Sequence, residues 1–133
     1  MSLLPIKPGD GMLYLASPYS HRNAAIREER FVNVCHAAGL LMRVGYLVFS
    51  PIAHTHPIAV RTGLPTDWTF WEQMDSEMVK VCACVAVLCL PGWEESRGCQ
   101  NEVALAAREG IPTVHIQPKD LHDGVWMSKR SEG

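Results

Sequence analysis

The chain has 133 residues, the size of one domain, and 47% of them are hydrophobic while 20% are charged. This balance excludes the disordered and coiled-coil classes, which carry more charge and fewer apolar residues. Twelve basic against fourteen acidic residues give a net charge of −2, without the basic excess that binding to nucleic-acid polymers requires. We therefore expect one globular domain over residues 1–133, with 1–11 as an N-terminal extension and 117–133 as a C-terminal segment.

The apolar runs of the sequence are short. None approaches the ~20 residues of a membrane span, and Pro5 and Pro8 interrupt the N-terminal apolar stretch, which is unlike a signal peptide. The five cysteines are odd in number and lie mostly in or beside apolar segments, as is typical of reduced, buried thiols. The sequence predicts a cytoplasmic protein with no membrane association and no disulfide.

Strand-like and helix-like patterns alternate along the chain. Four short apolar runs predict buried strands, at 12–16, 46–49, 83–90 and 113–116. Helical spacing of apolar residues predicts three longer helices, over about 23–43, 65–81 and 98–109. The segment 50–57 contains two prolines and two histidines, so we expect a loop there and at most a short helix before residue 66.

This alternation is typical of a parallel sheet with right-handed crossovers and helices on both faces. It predicts an α/β protein with a three-layer, flavodoxin-like, doubly wound sheet of about four, possibly five, parallel strands. Such sheets bind ligands at the carboxyl ends of their strands. The rule selects the segments after the four predicted strands: 17–22, 50–57, 91–98 and 117 onward.

The segment from Ser96 to Glu102 combines several features of a ligand site. Gly98 lets a ligand approach the backbone closely, and the free amides of the first helical turn attract anions, with Ser96 as a helix cap or a ligand contact. Glu102 lies just past that turn, where the helix field favours an ionised carboxylate that can act as a nucleophile or a base. The alternative is that Glu102 only complements the helix dipole, since the periodicity puts it at the margin of the core stripe.

Other polar side chains carry similar alternatives. Asp75 flanks the apolar stripe of its predicted helix. Its carboxyl therefore either reaches the ligand site expected at the strand ends or is exposed to solvent. Ser17 and Tyr19 follow the first strand, where their hydroxyl groups could hold a phosphate or a sugar, or form an ordinary turn. Tyr14 either packs in the core or points towards the crevice at the strand ends.

His54 and His56, together with Cys82 and Cys84, raise the question of a zinc site. The cysteines begin the most apolar strand and lack Cys-x-x-Cys spacing, so we expect no metal and assign the histidines to substrate contact or loop packing. The sequence has no P-loop, no dinucleotide-binding glycine motif after the first strand and no Gly-x-Ser-x-Gly motif. P-loop enzymes, dinucleotide dehydrogenases and serine hydrolases are thereby excluded.

Three segments resemble the nucleoside 2-deoxyribosyltransferase superfamily, which includes the deoxynucleoside monophosphate N-glycosidases. They are Tyr14-Leu-Ala-Ser-Pro18, Asp75 ahead of the apolar strand, and the helix that runs from Gly98 through Glu102 to the exit Gly110-Ile-Pro. The resemblance covers residues 12–116. It is closest to a small bacterial branch of uncharacterised activity, whose Ser-Pro-Ile-x-His-x-His-Pro and Leu-Pro-Gly-Trp-Glu segments match 50–57 and 90–94.

The resemblance implies a mechanism. In the superfamily, the glutamate that matches Glu102 attacks the anomeric carbon to form a glycosyl-enzyme, the tyrosine that matches Tyr14 orients it, and the aspartate that matches Asp75 lies near the departing base. In the monophosphate N-glycosidases, the serine that matches Ser96 contacts the 5′-phosphate. The resemblance therefore implies cleavage or transfer of the N-glycosidic bond of a nucleoside or nucleotide, without a cofactor, in a homo-oligomer whose subunits share site residues.

We accordingly expect Glu102, Asp75 and Tyr14 to be catalytic. A second group is expected to bind the substrate: Ser17, Pro18, Tyr19, His54, Ser96, Gly98 and Asn101. Many members of the superfamily have an aspartate where this chain has Ala83, which keeps open a non-catalytic nucleotide-binding or sensing module, or a structural subunit. The expected partners are a small-molecule nucleoside or nucleotide and further copies of the chain, and neither polymeric nucleic acid nor a membrane.

Overall fold

The computed structural model describes residues 4–122. Its four strands form one parallel sheet in the order β2-β1-β3-β4. The strands are β1 (Met12–Ala16), β2 (Leu47–Phe49), β3 (Cys84–Leu88) and β4 (Thr113–Ile116). The predicted α/β class and parallel sheet are confirmed.

Five helices surround the sheet: α1 (Ala24–Arg43), α2 (Pro51–Thr62), α3 (Trp68–Val81), α4 (Arg97–Arg108) and α5 (Pro118–His122). A short 3-10 turn, Trp93–Glu95, precedes α4. The three helices expected from periodicity correspond to α1, α3 and α4. Asn23 caps α1 by accepting a hydrogen bond from the Ala25 amide at 2.9 Å. The predicted C-terminal segment begins with α5, and its remainder lies outside the described residues.

The expectation of a loop over 50–57, with at most a short helix before residue 66, is wrong, because α2 has 12 residues. Ser50 caps this helix by accepting a hydrogen bond from the Ala53 amide at 3.1 Å, and Pro51 occupies the first turn, where no amide hydrogen is needed. Pro57 removes one hydrogen bond inside the helix. Burial of one face offsets that loss, through Ile52, Thr55, His56 and Ala59.

Side chains of β1 alternate between two hydrophobic cores on opposite faces of the sheet. Leu13 and Leu15 pack in a core that also contains residues of α1 and α5. Tyr14 and Ala16 pack in a second core with residues of α3 and α4. Helices therefore cover both faces and give three layers, as predicted.

The strand order creates a switch point beside β1. From β1 the chain passes to β2 on one side, and it then crosses to β3 on the other side of β1. Ligands of doubly wound sheets bind outside the carboxyl ends of the strands at such a point. Within residues 4–122, none of the helices combines the length and apolar character needed to cross a membrane.

Candidate active site

A cleft of about 290 Å³ opens where the chain leaves β1, β2 and β3. Its walls are formed by the loop after β1, the first turns of α2, the N-terminal half of α3 and the start of α4. Three of the four segments that follow predicted strands therefore meet at one cleft. The volume is close to the lower end of the range found for small-molecule sites.

Glu102 lines this cleft and contacts Tyr14, which lies behind it in the core. Glu102 lies on α4 with only 4% of its surface exposed, and Tyr14 lies on β1 and is fully buried. The Tyr14 hydroxyl donates a hydrogen bond to Oε2 of Glu102. The ring of Tyr14 therefore packs in the core, and its hydroxyl reaches the Glu102 carboxyl.

Opposing effects act on the Glu102 carboxyl. Burial raises its pKa to about 8, the hydrogen bond from Tyr14 opposes that increase, and the charge of Asp75 adds to it. Burial, reinforced by the charges of Glu102 and Asp75, raises the pKa of Tyr14 well above its ordinary value. Tyr14 therefore remains a protonated hydrogen-bond donor throughout the physiological range of pH.

Asp75 brings a second carboxyl to the same cleft. It lies on α3 with 6% of its surface exposed, and its Oδ1 atom has no hydrogen-bond partner among the described residues. Burial raises its pKa to about 7. Two buried carboxyls with raised pKa values in one cleft are typical of a functional site.

The start of α4 forms another wall of the cleft, with Ser96, Arg97 and Gly98. Ser96 caps the helix by accepting a hydrogen bond from the Cys99 amide at 3.2 Å. A Cβ atom at Gly98 would lie 3.3 Å from the ring of Trp68, so glycine allows α4 to approach α3 closely. A helix start with free amides and a neighbouring arginine can hold an anion.

The opposite wall is lined by hydroxyl groups from the loop after β1 and from α2. The side-chain oxygens of Ser17 and Thr55 are buried and have no hydrogen-bond partner within residues 4–122. Tyr19 also lines the cleft, and its hydroxyl lies 2.6 Å from Nδ1 of His56. Sequence reasoning did not select Thr55, although its position just after β2 follows the same strand-end rule that selected Ser17.

Three residues expected to bind substrate do not line this cleft. Pro18 is fully buried beside it, and His54 is exposed on α2 with its ring centroid 6.2 Å from that of Phe49. Asn101 is exposed on α4 and lines a neighbouring depression with Trp68. The remaining members of the predicted site line the cleft, except Tyr14, which adjoins it through its hydrogen bond to Glu102.

The histidines and cysteines considered for zinc do not assemble into a site. His56 contacts Tyr19 and Glu28, while Cys82 and Cys84 are buried with their pKa values raised by desolvation to about 11. In the part of the chain that the structure describes, no group of three or more His, Cys, Asp or Glu residues could hold a metal ion.

Comparison with known proteins relates this geometry to a family. A family model matches residues 11–117, which include all four strands and the whole cleft. The chain belongs to the family described as Domain of unknown function (DUF1937). A search of the curated proteins finds no significant match to the DUF1937 chain.

One solved structure is similar to the DUF1937 chain. It is the 2-deoxyribosyltransferase from the psychrotolerant bacterium Bacillus psychrosaccharolyticus, described as a biocatalyst for the synthesis of antiviral and antitumoral nucleosides. The two chains are 25% identical with a TM-score of 0.58, over 80% of the DUF1937 chain and 72% of the other. The DUF1937 chain therefore has a nucleoside 2-deoxyribosyltransferase-like fold, which confirms the resemblance found in its sequence.

Proposed function

We propose that this protein is an enzyme that cleaves or transfers the N-glycosidic bond of a nucleoside or nucleotide, with Glu102 as the nucleophile. The main support is the pair of buried carboxyls, Glu102 and Asp75, in one cleft, with Glu102 hydrogen-bonded to Tyr14. Retaining glycosyl transfer needs one carboxylate as nucleophile and a second carboxyl as acid and base. Similarity to a 2-deoxyribosyltransferase supports a nucleoside as the substrate class.

In the first step, the Glu102 carboxylate forms a bond to the anomeric carbon as the bond from that carbon to the base breaks. The bonding electrons leave with the base, and protonated Asp75 donates a proton to it. In the second step, water or another base attacks the anomeric carbon and displaces the Glu102 carboxylate, while the Asp75 carboxylate takes up the proton released. The Tyr14 hydroxyl stabilises the negative charge on Glu102 at the beginning and end of this cycle.

The two carboxyls titrate as a pair. Their pKa values, about 8 for Glu102 and about 7 for Asp75, lie close together, so near neutral pH they share one proton. The first step begins from the form in which Glu102 is charged and Asp75 holds that proton. The pKa values make this the minor of the two singly protonated forms, and the hydrogen bond from Tyr14 increases its share.

We assign a 5′-phosphate, in a substrate that carries one, to the start of α4. The free amides of the first helical turn, the Ser96 hydroxyl and the Arg97 guanidinium all adjoin the cleft there. This wall is separate in sequence from the hydroxyl-lined wall formed by the loop after β1 and by α2. A nucleotide would then place its phosphate beside α4 and its sugar across the cleft.

We further propose a homo-oligomer in the cytoplasm. Large apolar side chains are exposed on the described surface, among them Phe70 on α3. Phe70 adjoins Trp71, whose ring is 5.0 Å away and which lines the cleft, so a second copy covering Phe70 would help to enclose the site. The five free cysteines are typical of a reducing compartment.

The direct test is a base-release assay. The protein is incubated with nucleosides, their 5′-monophosphates and NAD, and free base is measured by chromatography, with a second base added to separate transfer from hydrolysis. Glu102→Gln removes the nucleophile and should lower release by about 10³-fold or more. Glu109→Gln is the matched control, because Glu109 follows α4 and is exposed, and it should leave release unchanged.

Two results would contradict the proposal. Release that continues at the wild-type rate in Glu102→Gln would eliminate Glu102 as the nucleophile. Binding of these compounds by the wild-type protein without release of base would favour the non-catalytic binding module instead.

A further inference from the structure

A row of three side chains connects the cleft to the outer surface. The Tyr19 hydroxyl lies 2.6 Å from Nδ1 of His56, and Nε2 of His56 lies 2.8 Å from a carboxylate oxygen of Glu28. Tyr19 lines the cleft, while the Glu28 side chain on α1 is 59% exposed. The three residues come from a loop and two helices, so the row forms only in the folded chain.

Packing holds the imidazole of His56 in place. Its side chain is only 6% exposed, and its ring lies 4.5 Å from that of Phe31 and 5.4 Å from that of Tyr19 between centroids. Both ring nitrogens have polar partners. The ring therefore has one orientation, with Nδ1 towards Tyr19 and Nε2 towards Glu28.

The carboxylate of Glu28 determines which nitrogen carries the hydrogen. A carboxylate can only accept, so the hydrogen of the neutral ring lies on Nε2, and Nδ1 is left with a lone pair. The Tyr19 hydroxyl then donates its single hydrogen to Nδ1. Burial raises the pKa of Tyr19, and the Arg27 guanidinium, which can donate to the Tyr19 oxygen, opposes that increase. Towards any further partner, including a ligand in the cleft, the Tyr19 oxygen can therefore only accept.

Two further hydroxyl groups line the same wall. Ser17 and Thr55 are each 4% exposed, and their oxygens lack hydrogen-bond partners among residues 4–122. Leaving such groups unpaired costs free energy, so a ligand with matching groups would gain affinity by pairing them. A hydroxyl group of a sugar can both donate and accept, whereas an ionised phosphate cannot donate to Tyr19.

We propose that Glu28 and His56 are positioning residues that hold the Tyr19 hydroxyl as an acceptor, and that Tyr19, Ser17 and Thr55 bind the hydroxyl groups of the sugar. The identity of the ligand as a sugar rests on the proposed function, whereas the orientation of Tyr19 does not. The site is thereby selective for a ligand with free hydroxyl groups on this side of the cleft.

Nuclear magnetic resonance of the ¹⁵N-labelled protein without ligand tests the positioning role. At pH 8 the His56 ring, assigned by comparison with His56→Gln, should carry hydrogen on Nε2 and none on Nδ1. Glu28→Ala should mix the two tautomers, while Glu29→Ala, at the exposed neighbouring position, should leave the spectrum of His56 unchanged. A ring with hydrogen on Nδ1 in the wild-type protein overturns the inference.

Calorimetry tests the sugar-binding role, using the Glu102→Gln background to prevent turnover. The ligands are the four common 2′-deoxynucleosides and their 2′,3′-dideoxy counterparts. Tyr19→Phe, Thr55→Val and Glu28→Ala should each weaken deoxynucleoside binding by about 10-fold, with less than about 2-fold change for the dideoxy compounds. Thr62→Val is the control on α2, because the Thr62 hydroxyl is already paired with the Ile58 carbonyl at 2.6 Å.

Thr55→Val also separates a binding role from a structural one. Removing an unpaired buried hydroxyl should keep or raise the melting temperature while affinity falls. No loss for either kind of ligand would overturn the sugar-binding role, and equal losses would overturn the selectivity of this wall for the 3′-hydroxyl, which only the deoxynucleosides carry. Failure of all the nucleosides to bind would contradict the proposed function and the sugar assignment together, and the tautomer measurement would then decide the positioning role alone.

Discussion

At the scale of single residues, the charge on Glu102 depends on one hydrogen bond. The carboxyl is buried on α4, where loss of water favours the protonated form, and the Tyr14 hydroxyl provides the hydrogen bond that opposes this effect. The Tyr14 ring is anchored in the core, with its centroid 5.7 Å from that of Phe49. Core packing therefore fixes the position of the hydroxyl group on which the charge of Glu102, the proposed nucleophile, depends.

Tyr14→Phe should shift the pH dependence of base release. The wild-type profile of kcat/KM should be bell-shaped, falling below about pH 7 as both carboxyls become protonated and above about pH 8 as both ionise. Without the hydroxyl the pKa of Glu102 rises further, so the form with charged Glu102 and protonated Asp75 becomes rarer, kcat/KM at pH 7 should fall about 10- to 100-fold, and the basic limb should move to higher pH. Steady-state rates from pH 5 to 10 provide the measurement.

Tyr46→Phe serves as the control for that experiment. The Tyr46 hydroxyl donates to the Ile6 carbonyl at 3.0 Å, and the residue does not line the cleft. Its loss should affect stability without moving the profile. Identical profiles for Tyr14→Phe and the wild type would contradict a role for Tyr14 in ionising Glu102.

The same burial predicts how stability varies with pH. An unfolded glutamate has a pKa near about 4.3, whereas that of folded Glu102 is about 8, so the folded protein binds more protons than the unfolded chain between these values. Stability must therefore fall as pH rises through this interval. The melting temperature should drop by roughly 5 °C or more from pH 5 to pH 8.

In Glu102→Gln, much of this drop should disappear, because the neutral amide cannot ionise. Asp75 contributes in the same direction, since its pKa is also raised, so part of the drop should remain. Glu109→Gln should follow the wild-type curve. Thermal unfolding monitored by circular dichroism at both pH values provides the comparison. Equal drops in melting temperature for the wild type and Glu102→Gln would show that folding does not raise the pKa of Glu102.

At the scale of elements, the sequence predicts the strands and three of the helices well, because buried parallel strands and amphipathic helices leave clear periodic patterns. It fails at α2, where two prolines were interpreted as breaks. Pro51 begins the helix behind the Ser50 cap, and Pro57 is tolerated because one face of α2 is buried. Tertiary packing, which the local pattern does not contain, decides this element.

The site shows the same limit. Glu102 could be selected from its place near a helix start, but periodicity put it at the margin of the core stripe, whereas α4 buries it over Tyr14. His56 was selected only as one of two histidines in an expected loop. Its contacts with Tyr19 and Glu28 depend on how α1 and α2 pack, and sequence spacing does not reveal that arrangement.

Gly98→Ala tests how closely α3 and α4 approach, and Gly39→Ala on α1 is its comparison. Gly39 lies exposed in the middle of α1 with no atom within 4 Å of a Cβ, so Gly39→Ala should stabilise the protein by about 1 kcal/mol. Gly98→Ala places a methyl group 3.3 Å from the Trp68 ring, which also lines the cleft. It should gain no stability and should weaken ligand binding.

Chemical denaturation gives the stability of both variants, and calorimetry with the nucleosides above gives their affinity. Gly39→Ala should keep the wild-type affinity, because Gly39 lies on α1, which does not line the cleft. A Gly98→Ala variant that is as stabilised as Gly39→Ala and binds normally would show that the contact between α4 and Trp68 can relax freely.

At the scale of the whole molecule, the cleft lies at the carboxyl ends of the strands of the sheet. Segments after three strands meet there, and α3 provides the remaining wall with Trp68, Trp71 and Asp75. Phe70 is 48% exposed next to this wall, and Val81 is 71% exposed at the other end of α3. Substitutions at the two ends of α3 can therefore test where on the surface the proposed oligomer forms.

Phe70→Glu should dissociate the oligomer and weaken ligand binding, because it places a charge on the surface that a second copy would cover. Val81→Glu makes the same change at the far end of α3 and should leave assembly intact. Light scattering after size-exclusion chromatography distinguishes the 14.8 kDa monomer from larger species. A monomeric wild-type protein with full activity would exclude shared sites.

The Tyr14–Glu102 hydrogen bond joins residues 88 positions apart in the chain. Closing so long a loop is entropically costly, and the adjacent pairing of β1 with β3 is also non-local, so the chain cannot form this contact early by local folding. A chain that ends before α4 carries Tyr14 without its acceptor. The Tyr14–Glu102 pair can therefore form only when α4 packs against β1 and β3.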